Sequence, residues 1–208
     1  MRSITAIYEL YKIPESLQLH MLRAAAIAKQ IVDNWVGPEI NGDFILKVLL
    51  LHDMGNIVKF SDDDLTQEQI KLRKEIVNKY GHDDHVISNQ IAKELGLNQE
   101  ELDMMDAKIF IKNDLTVNLD SYEIKIGAYA DQRVAPDGIY SIRERLEEAK
   151  SRYKDKPGSS MNNSRTDLLM ECAYEIEKQV MMHCNIMSED INNESVQGVV
   201  EDLKGYEV

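Results

Sequence analysis

A chain of 208 residues can bury one substantial core and is short for two. Hydrophobic residues at 43% and charged residues at 29% give it the composition of an ordinary soluble globular protein. Its 37 acidic and 24 basic side chains leave a formal net charge of -13, which argues against long nucleic acid or an anionic membrane as a partner. A small phosphorylated ligand held by a few local cations stays compatible with that charge, as does partial neutralisation by bound metal.

No apolar run approaches the roughly 18 residues needed to cross a bilayer, and the N-terminal stretch has no short hydrophobic segment of the secretory kind. Cys172 and Cys184 fall twelve positions apart in one predicted helix. That separation of about 18 Å cannot be bridged by a disulfide without breaking the helix. A reduced, cytoplasmic protein is the expectation.

In chain order, a short helical pattern over Ile4 to Tyr11 stops ahead of Pro14, because a proline disfavours helical geometry in the residue before it. A longer helix runs from Pro14 to Trp35, with His20, Ala24, Ile27 and Ile31 on one face. A lone histidine among alanines is ordinarily a satisfied core residue and becomes a ligand only if other donors converge on it. Val36 to Asp43 is a turn in which Asp43 can cap the next helix.

That next helix is the most apolar stretch of the chain, Phe44 to Leu51, and it ends in His52-Asp53-Met54-Gly55-Asn56. Ile45, Val48, Leu49 and His52 fall at i, i+3, i+4 and i+7, so His52 continues the core-facing stripe. Burying an imidazole beside a carboxylate costs several kcal/mol unless hydrogen bonds or a metal compensate. The alternative for this doublet is a helix C-cap with Gly55 in the left-handed conformation.

Asp62-Asp63-Asp64 lack the alternation and distal glutamate of a calcium loop and read as a solvated N-cap for a helix from Thr66 to Tyr80. His82 and His85 lie one turn apart at the start of a helix that closes at Gly96. They could serve one metal site together, or both could face solvent. Another helix runs from Asn98 to about Ile111, and Leu115 to Leu119 has local strand character with no partner strand, which leaves it a connector. Ser121 to Val134 is a helix whose Ile124, Ala128 and Asp131 align, with Gly127 and Ala128 permitting close approach of a neighbour. Asp131 then points inward, either as a ligand or as a buried cap.

Pro136-Asp137-Gly138 turns into a charged amphipathic helix from Ile139 to Tyr153, whose Arg143 and Arg145 read as surface charges, with Arg143 also able to reach the neighbourhood of Asp131. Lys156 to Ser164 is the most loop-like and mobile segment by composition. A final long helix from Thr166 to Cys184 follows, with His183 as a charge partner of its C-terminus, and then a polar, acidic tail. Trp35 and the apolar patches of these last helices suit either the core or a homodimer interface.

Three predicted helices thus present His20, then His52 with Asp53, then Asp131. Two imidazoles and two carboxylates suit a divalent ion with open positions for water or substrate, and the set does not choose among Mg, Mn, Fe, Co, Ni and Zn. The matching text is Leu19-His20-Met21-Leu22-Arg23, Leu50-Leu51-His52-Asp53-Met54-Gly55-Asn56 and Tyr129-Ala130-Asp131-Gln132-Arg133. In this order, on successive helices, it resembles the HD-domain superfamily of metal-dependent phosphohydrolases over about residues 17 to 134.

The resemblance implies an all-α, HD-domain-like bundle with additional C-terminal helices: a metal-binding core over residues 1 to 154, and a loop, long helix and tail over 155 to 208 packed on it. It implies metal ligation by His20, His52, Asp53 and Asp131, with His85, and with less claim His82, as ligands of a second ion bridged by Asp53. Lys59 and Arg133, together with Arg23, are the candidates for neutralising charge on a phosphoryl group. Asp53, Lys59 and Arg133 form the expected catalytic set, acting on a phosphomonoester or phosphodiester in a small molecule, most plausibly a nucleotide. There is no Gly-Tyr-Pro signature after the doublet, which counts against a cyclic-dinucleotide phosphodiesterase. Met54-Gly55-Asn56 is also unlike the acidic continuation of alarmone hydrolases. Two other classes share the same residues: a non-catalytic metal- or nucleotide-binding regulatory module, and a metal-dependent oxygenase with paired iron, which needs further histidines.

Overall fold

The computed structural model describes residues 2–153 and 164–208, so most of the predicted loop around Lys156 lies outside the described residues. Among the described residues the chain is all-α: eleven α-helices and a few 3-10 turns, with no strand and only isolated bridges. No helix among them is long and apolar enough to cross a membrane.

The helices follow local capping chemistry. Helix α1 (Ile4–Leu10) is capped by the Ser3 hydroxyl, which accepts from the Ala6 N–H, and α2 (Glu15–Asp33) begins directly after Pro14. Helix α3 (Gly42–Leu51) is capped by Asn41, whose side-chain oxygen accepts from the Phe44 N–H at 3.1 Å; Asp43, the expected cap, lies inside the first turn instead. The three aspartates form their own 3-10 turn over Asp62–Asp64. Thr66 caps α4 (Gln67–Tyr80), in a reciprocal box with Gln69.

Helix α5 (Asp84–Glu94) is capped by Asp83, and α6 (Gln99–Ala107) by Asn98 with Glu101. Helix α6 stops at Ala107, four residues earlier than the sequence suggests, and passes through a 3-10 turn at Phe110–Lys112 into α7 (Asn113–Thr116). The β-like run at Leu115 is therefore partly helical, because Thr116 donates its hydroxyl to the Ala107 carbonyl at 2.9 Å and folds the segment back. Helices α8 (Tyr122–Gln132), α9 (Ile142–Tyr153), α10 (Ser164–Met181) and α11 (Gln197–Leu203) complete the set.

Helix α2 is the hub, packing on α3, α8 and α11. Ala24, Ala25, Ala26 and Ala28 are fully buried along it, and their small side chains let three helix axes approach closely. Helix α3 is apolar nearly all round, with Ile45, Leu46 and Val48 to Leu51 all buried, as a helix enclosed by others must be. The Tyr8 hydroxyl donates to the Leu50 carbonyl at 2.7 Å, satisfying an acceptor at the end of α3 immediately before the His-Asp doublet.

The acidic tail is more than a solvated extension. Within it α11 packs on α2, and the Arg2 and Val208 backbones exchange hydrogen bonds of 3.2 and 3.0 Å. His183 donates to, or accepts from, the Tyr122 hydroxyl at 2.8 Å and packs against the Trp35 ring, so it locks three segments together and is not a partner of a helix terminus. Arg143 lies over the Tyr174 ring and not near Asp131. Both cysteines are free.

Candidate metal centre

Helix α3 delivers the doublet through a change of pitch. After His52 the chain tightens into a 3-10 turn, Met54–Lys59, which packs against α5. Gly55 is not in the left-handed region. It is glycine because a Cβ there would meet the Asp84 carbonyl oxygen at 2.2 Å and the Ser88 nitrogen at 2.7 Å. Its N–H donates to the Ser88 hydroxyl at 2.9 Å, which ties the segment after Asp53 to the start of α5. The left-handed glycine of the C-cap alternative is therefore absent, although His52 does stand at the C-cap of α3: close packing, not backbone conformation, selects the glycine.

His20 from α2, His52 from the end of α3 and Asp131 from α8 meet at one point, with their ligand atoms within 4.8 Å of one another. Asp131 Oδ1 stands 3.1 Å from both His20 Nε2 and His52 Nε2. Asp53 flanks the trio, its two oxygens 3.4 Å from His20 Nε2 and 3.5 Å from His52 Nε2. Ligands about 2.1 Å from one ion, at octahedral or tetrahedral angles, are separated by about 3.0 to 3.4 Å, so these spacings are those of a coordination shell.

The tautomer fits as well. His52 Nδ1 lies 2.7 Å from the Leu49 carbonyl, an acceptor only, so Nδ1 carries the proton and donates. On a neutral ring that leaves the Nε2 lone pair facing the carboxylate oxygen of Asp131, a contact made favourable by a proton on Nε2 or by a metal cation between the two atoms. His52 is 4% exposed, so water cannot fill that role freely. The donor set therefore suits a divalent ion.

The electrostatics show the same tension. Burial works against a charged His20 ring, but the hydrogen bond and negative charge of Asp131, backed by Asp53, outweigh it and raise its pKa. Burial likewise opposes ionisation of both aspartates. For Asp131 the Lys108 ammonium and the two histidines overcome it and hold the carboxyl well below the usual range. For Asp53 the two imidazoles do so to a lesser degree.

The cluster forms the floor of a cleft of about 360 Å3, also lined by Asn56, Lys59, Lys108 and Arg145. Met105, Phe110 and Ile111 line it too and supply apolar surface. A second arm of about 350 Å3 shares His20, Asp53 and Lys59 with the first and adds Arg23 and Arg152. Lys59 is in the cleft as expected, with its ammonium 2.5 Å from Asp84 Oδ2.

Three expected members do not join the cluster. Arg133 follows Asp131 in sequence but turns the other way. Its guanidinium donates to the carbonyls of Tyr140, Ser188 and Ile191 at 2.7, 2.9 and 2.8 Å and to the Tyr129 hydroxyl at 3.0 Å, so it is a buried structural tie. His82 is exposed and outside the cleft lining. His85 reaches only the cleft wall, with its side chain 55% exposed. Among the described residues the trio of His20, His52 and Asp131 is the one such donor group; the expected ligand Asp53 lies beside it but outside it, and neither His82 nor His85 belongs to it.

Lys108 is the buried residue that sequence reasoning missed, and Arg145, expected on the surface, lines the cleft with its side chain 19% exposed. Lys108 is 2% exposed, caps the end of α6 and donates to Asp131 Oδ2 at 2.6 Å. Its signal was present as the stripe Glu101, Met104, Met105 and Lys108 at helical spacing, all four of them buried. Comparison with family models, curated proteins and solved structures found no match for this chain.

Proposed function

We propose that this protein is a metal-dependent phosphohydrolase of HD-domain type, acting on a phosphoester of a small molecule, with a nucleotide as the favoured substrate class. The observation that carries the reading is the approach of two imidazole Nε2 atoms to one carboxylate oxygen, at 3.1 Å each, on the floor of an open cleft. His20, His52 and Asp131 would hold the ion, with Asp53 completing the set. When bound, such an ion lowers the pKa of a coordinated water and polarises a phosphoryl oxygen.

The chain's own residues support that chemistry. Lys59, Lys108 and Arg145 bring cationic groups to a cleft in a protein whose formal net charge is -13, each beside a carboxylate of Asp84, Asp131 or Glu148, and Arg23 and Arg152 extend them along the second arm. Concentrating cations against the overall charge favours an anionic substrate at this one place. Phe110 and Ile111 offer a nearby apolar surface on which a nucleobase or another flat group can rest. The oxygenase alternative loses support, because the histidines needed for a second iron lie at the cleft wall or outside it.

The test is metal analysis of the purified protein, followed by a screen of nucleoside monophosphates, polyphosphates, cyclic nucleotides and generic phosphoesters. His52→Ala and Asp53→Ala should lose metal and turnover together, and chelation should abolish wild-type turnover. Hydrolysis that persists without metal would overturn the reading. A metal-loaded protein inert toward every phosphoester would favour a regulatory binding module.

A further inference from the structure

We propose that the second arm of the cleft is a subsite for a second anionic group of the substrate, with Arg23 as the residue that receives it. The inference rests on the phosphohydrolase reading and narrows its substrate class. The phosphoryl group that is hydrolysed would carry a further phosphoryl or carboxylate group, on the side away from Phe110 and Ile111. The two arms share His20, Asp53, Asn56 and Lys59 on the floor and then diverge, the first toward Phe110 and the second toward Phe60 and Pro136.

Charge sets the second arm apart. Arg23, Lys59, Arg145 and Arg152 line it, and Asp53, at the metal centre, is its one carboxylate among the described residues. Three of these cations have acidic partners outside that lining. Lys59 meets Asp84 at 2.5 Å, and Glu148 lies between Arg145 at 3.2 Å and Arg152 at 2.9 Å. Arg23 has no ion-pair or hydrogen-bond partner for its side chain among the described residues. It stands one turn after His20 on the same face of α2 and is half-buried. A partly desolvated guanidinium without a counter-charge is a ready receptor for phosphate or carboxylate, whose paired oxygens match its fork.

The arm holds more positive charge than one reacting phosphoryl group uses. That group has the ion and Lys59 on the floor, whereas Arg23, Arg145 and Arg152 lie along an arm of about 350 Å3, larger than the group itself. The recess next to the arm carries Asp137, Glu144 and Glu148, so the positive charge is confined to the arm that opens on the metal centre. Glu148, with its side chain 46% exposed, holds the two arginines at the surface. Exposed pairs of this kind are weak, and an entering anion can compete with Glu148 for both guanidinium groups.

The experiment is calorimetric titration of the manganese-loaded full chain with orthophosphate, imidodiphosphate and phosphonoacetate, the last two presenting a second phosphoryl group and a carboxylate. Because both also chelate the ion through two oxygens, the quantity read is the change, on substitution, of their affinity relative to orthophosphate. Arg23→Gln should lower that ratio about tenfold, and Arg23→Lys should restore part of it, since the charge returns without the fork. Glu148→Gln should raise it about threefold by releasing Arg145 and Arg152. A larger drop for imidodiphosphate supports the subsite and assigns the second group as phosphoryl; a larger drop for phosphonoacetate supports it and assigns a carboxylate. Circular dichroism checks the fold, and if Arg23→Gln does not fold, the gain in Glu148→Gln decides. An unchanged ratio in folded Arg23→Gln, or no gain in Glu148→Gln where that variant decides, would overturn the subsite and leave the phosphohydrolase reading standing. Failure of all three anions to bind the manganese-loaded wild type would sink the phosphohydrolase reading and the subsite with it.

Discussion

Arg133→Ala separates a structural tie from a catalytic cation at the position adjacent to a proposed ligand. Removing the guanidinium strands the carbonyls of Tyr140 and Ile191 and leaves that of Ser188 only the Ile191 N–H at 3.3 Å, each now within 2.9 Å of a charged donor, at a residue only 3% exposed. A buried acceptor left unpaired costs about 1–3 kcal/mol. Two of them would cost up to about 6 kcal/mol if neither relaxed. A surface recess lined by Arg133, Tyr140, Ser188 and Ile191 lets water replace part of the loss, so the expected destabilisation is about 3–5 kcal/mol. For a chain of this size that corresponds to a drop in Tm of roughly 10 °C. Urea unfolding followed by circular dichroism measures it, and manganese affinity of the folded fraction should stay within about twofold of wild type. A variant as stable as wild type but devoid of hydrolysis would refute the structural assignment and return Arg133 to the reaction.

Gly55→Ala places a methyl group against the backbone of Asp84 and Ser88, neither of which can yield cheaply. It should cost about 2–3 kcal/mol and weaken metal binding, read by thermal unfolding and titration. Tyr8→Phe removes one buried hydrogen bond to Leu50 and should cost about 1 kcal/mol in urea unfolding, with the metal site intact. The metal-stripped protein should be stabilised by His20 below its unfolded pKa of about 6.5, and lose that contribution as pH rises through the elevated folded value. Asp131, with its pKa depressed, adds stability above about pH 3.9 that is lost as pH falls through its folded value. Urea midpoints of the stripped wild type should therefore fall from pH 6 to 8, and His20→Gln should flatten that fall.

Helical content and the three donor-bearing helices were legible because they rest on periodicity and short-range capping, which a sequence displays directly. His20, His52 and Asp131 each continue an apolar stripe, so placing those stripes in one core brings their polar members together. Arg133 was misplaced because Asp131 is at the end of α8, where the next residues leave helical phase. Its direction is set by the C-terminal carbonyls, more than fifty residues away in sequence. The boundary of α6 was overrun for a similar reason: the Thr116 hydroxyl, a nonlocal partner, secures the turn that ends it.

Lys108 shows what such reasoning loses when charge is equated with surface. A lysine on an apolar stripe contradicts its own pattern, and a fully buried ammonium persists only where a carboxylate meets it. The same logic that singled out His52, a polar residue continuing a hydrophobic face, applied equally to Lys108 and required Asp131 as its counterpart. Followed consistently, it places a histidine pair, a lysine and one shared carboxylate in a single core. Asp131 is then the hinge of the centre. One of its oxygens completes the donor set and the other is committed to the lysine, so a change at Asp131 should disturb ion binding and α6–α8 packing together, whereas Asp53→Asn should disturb only the first.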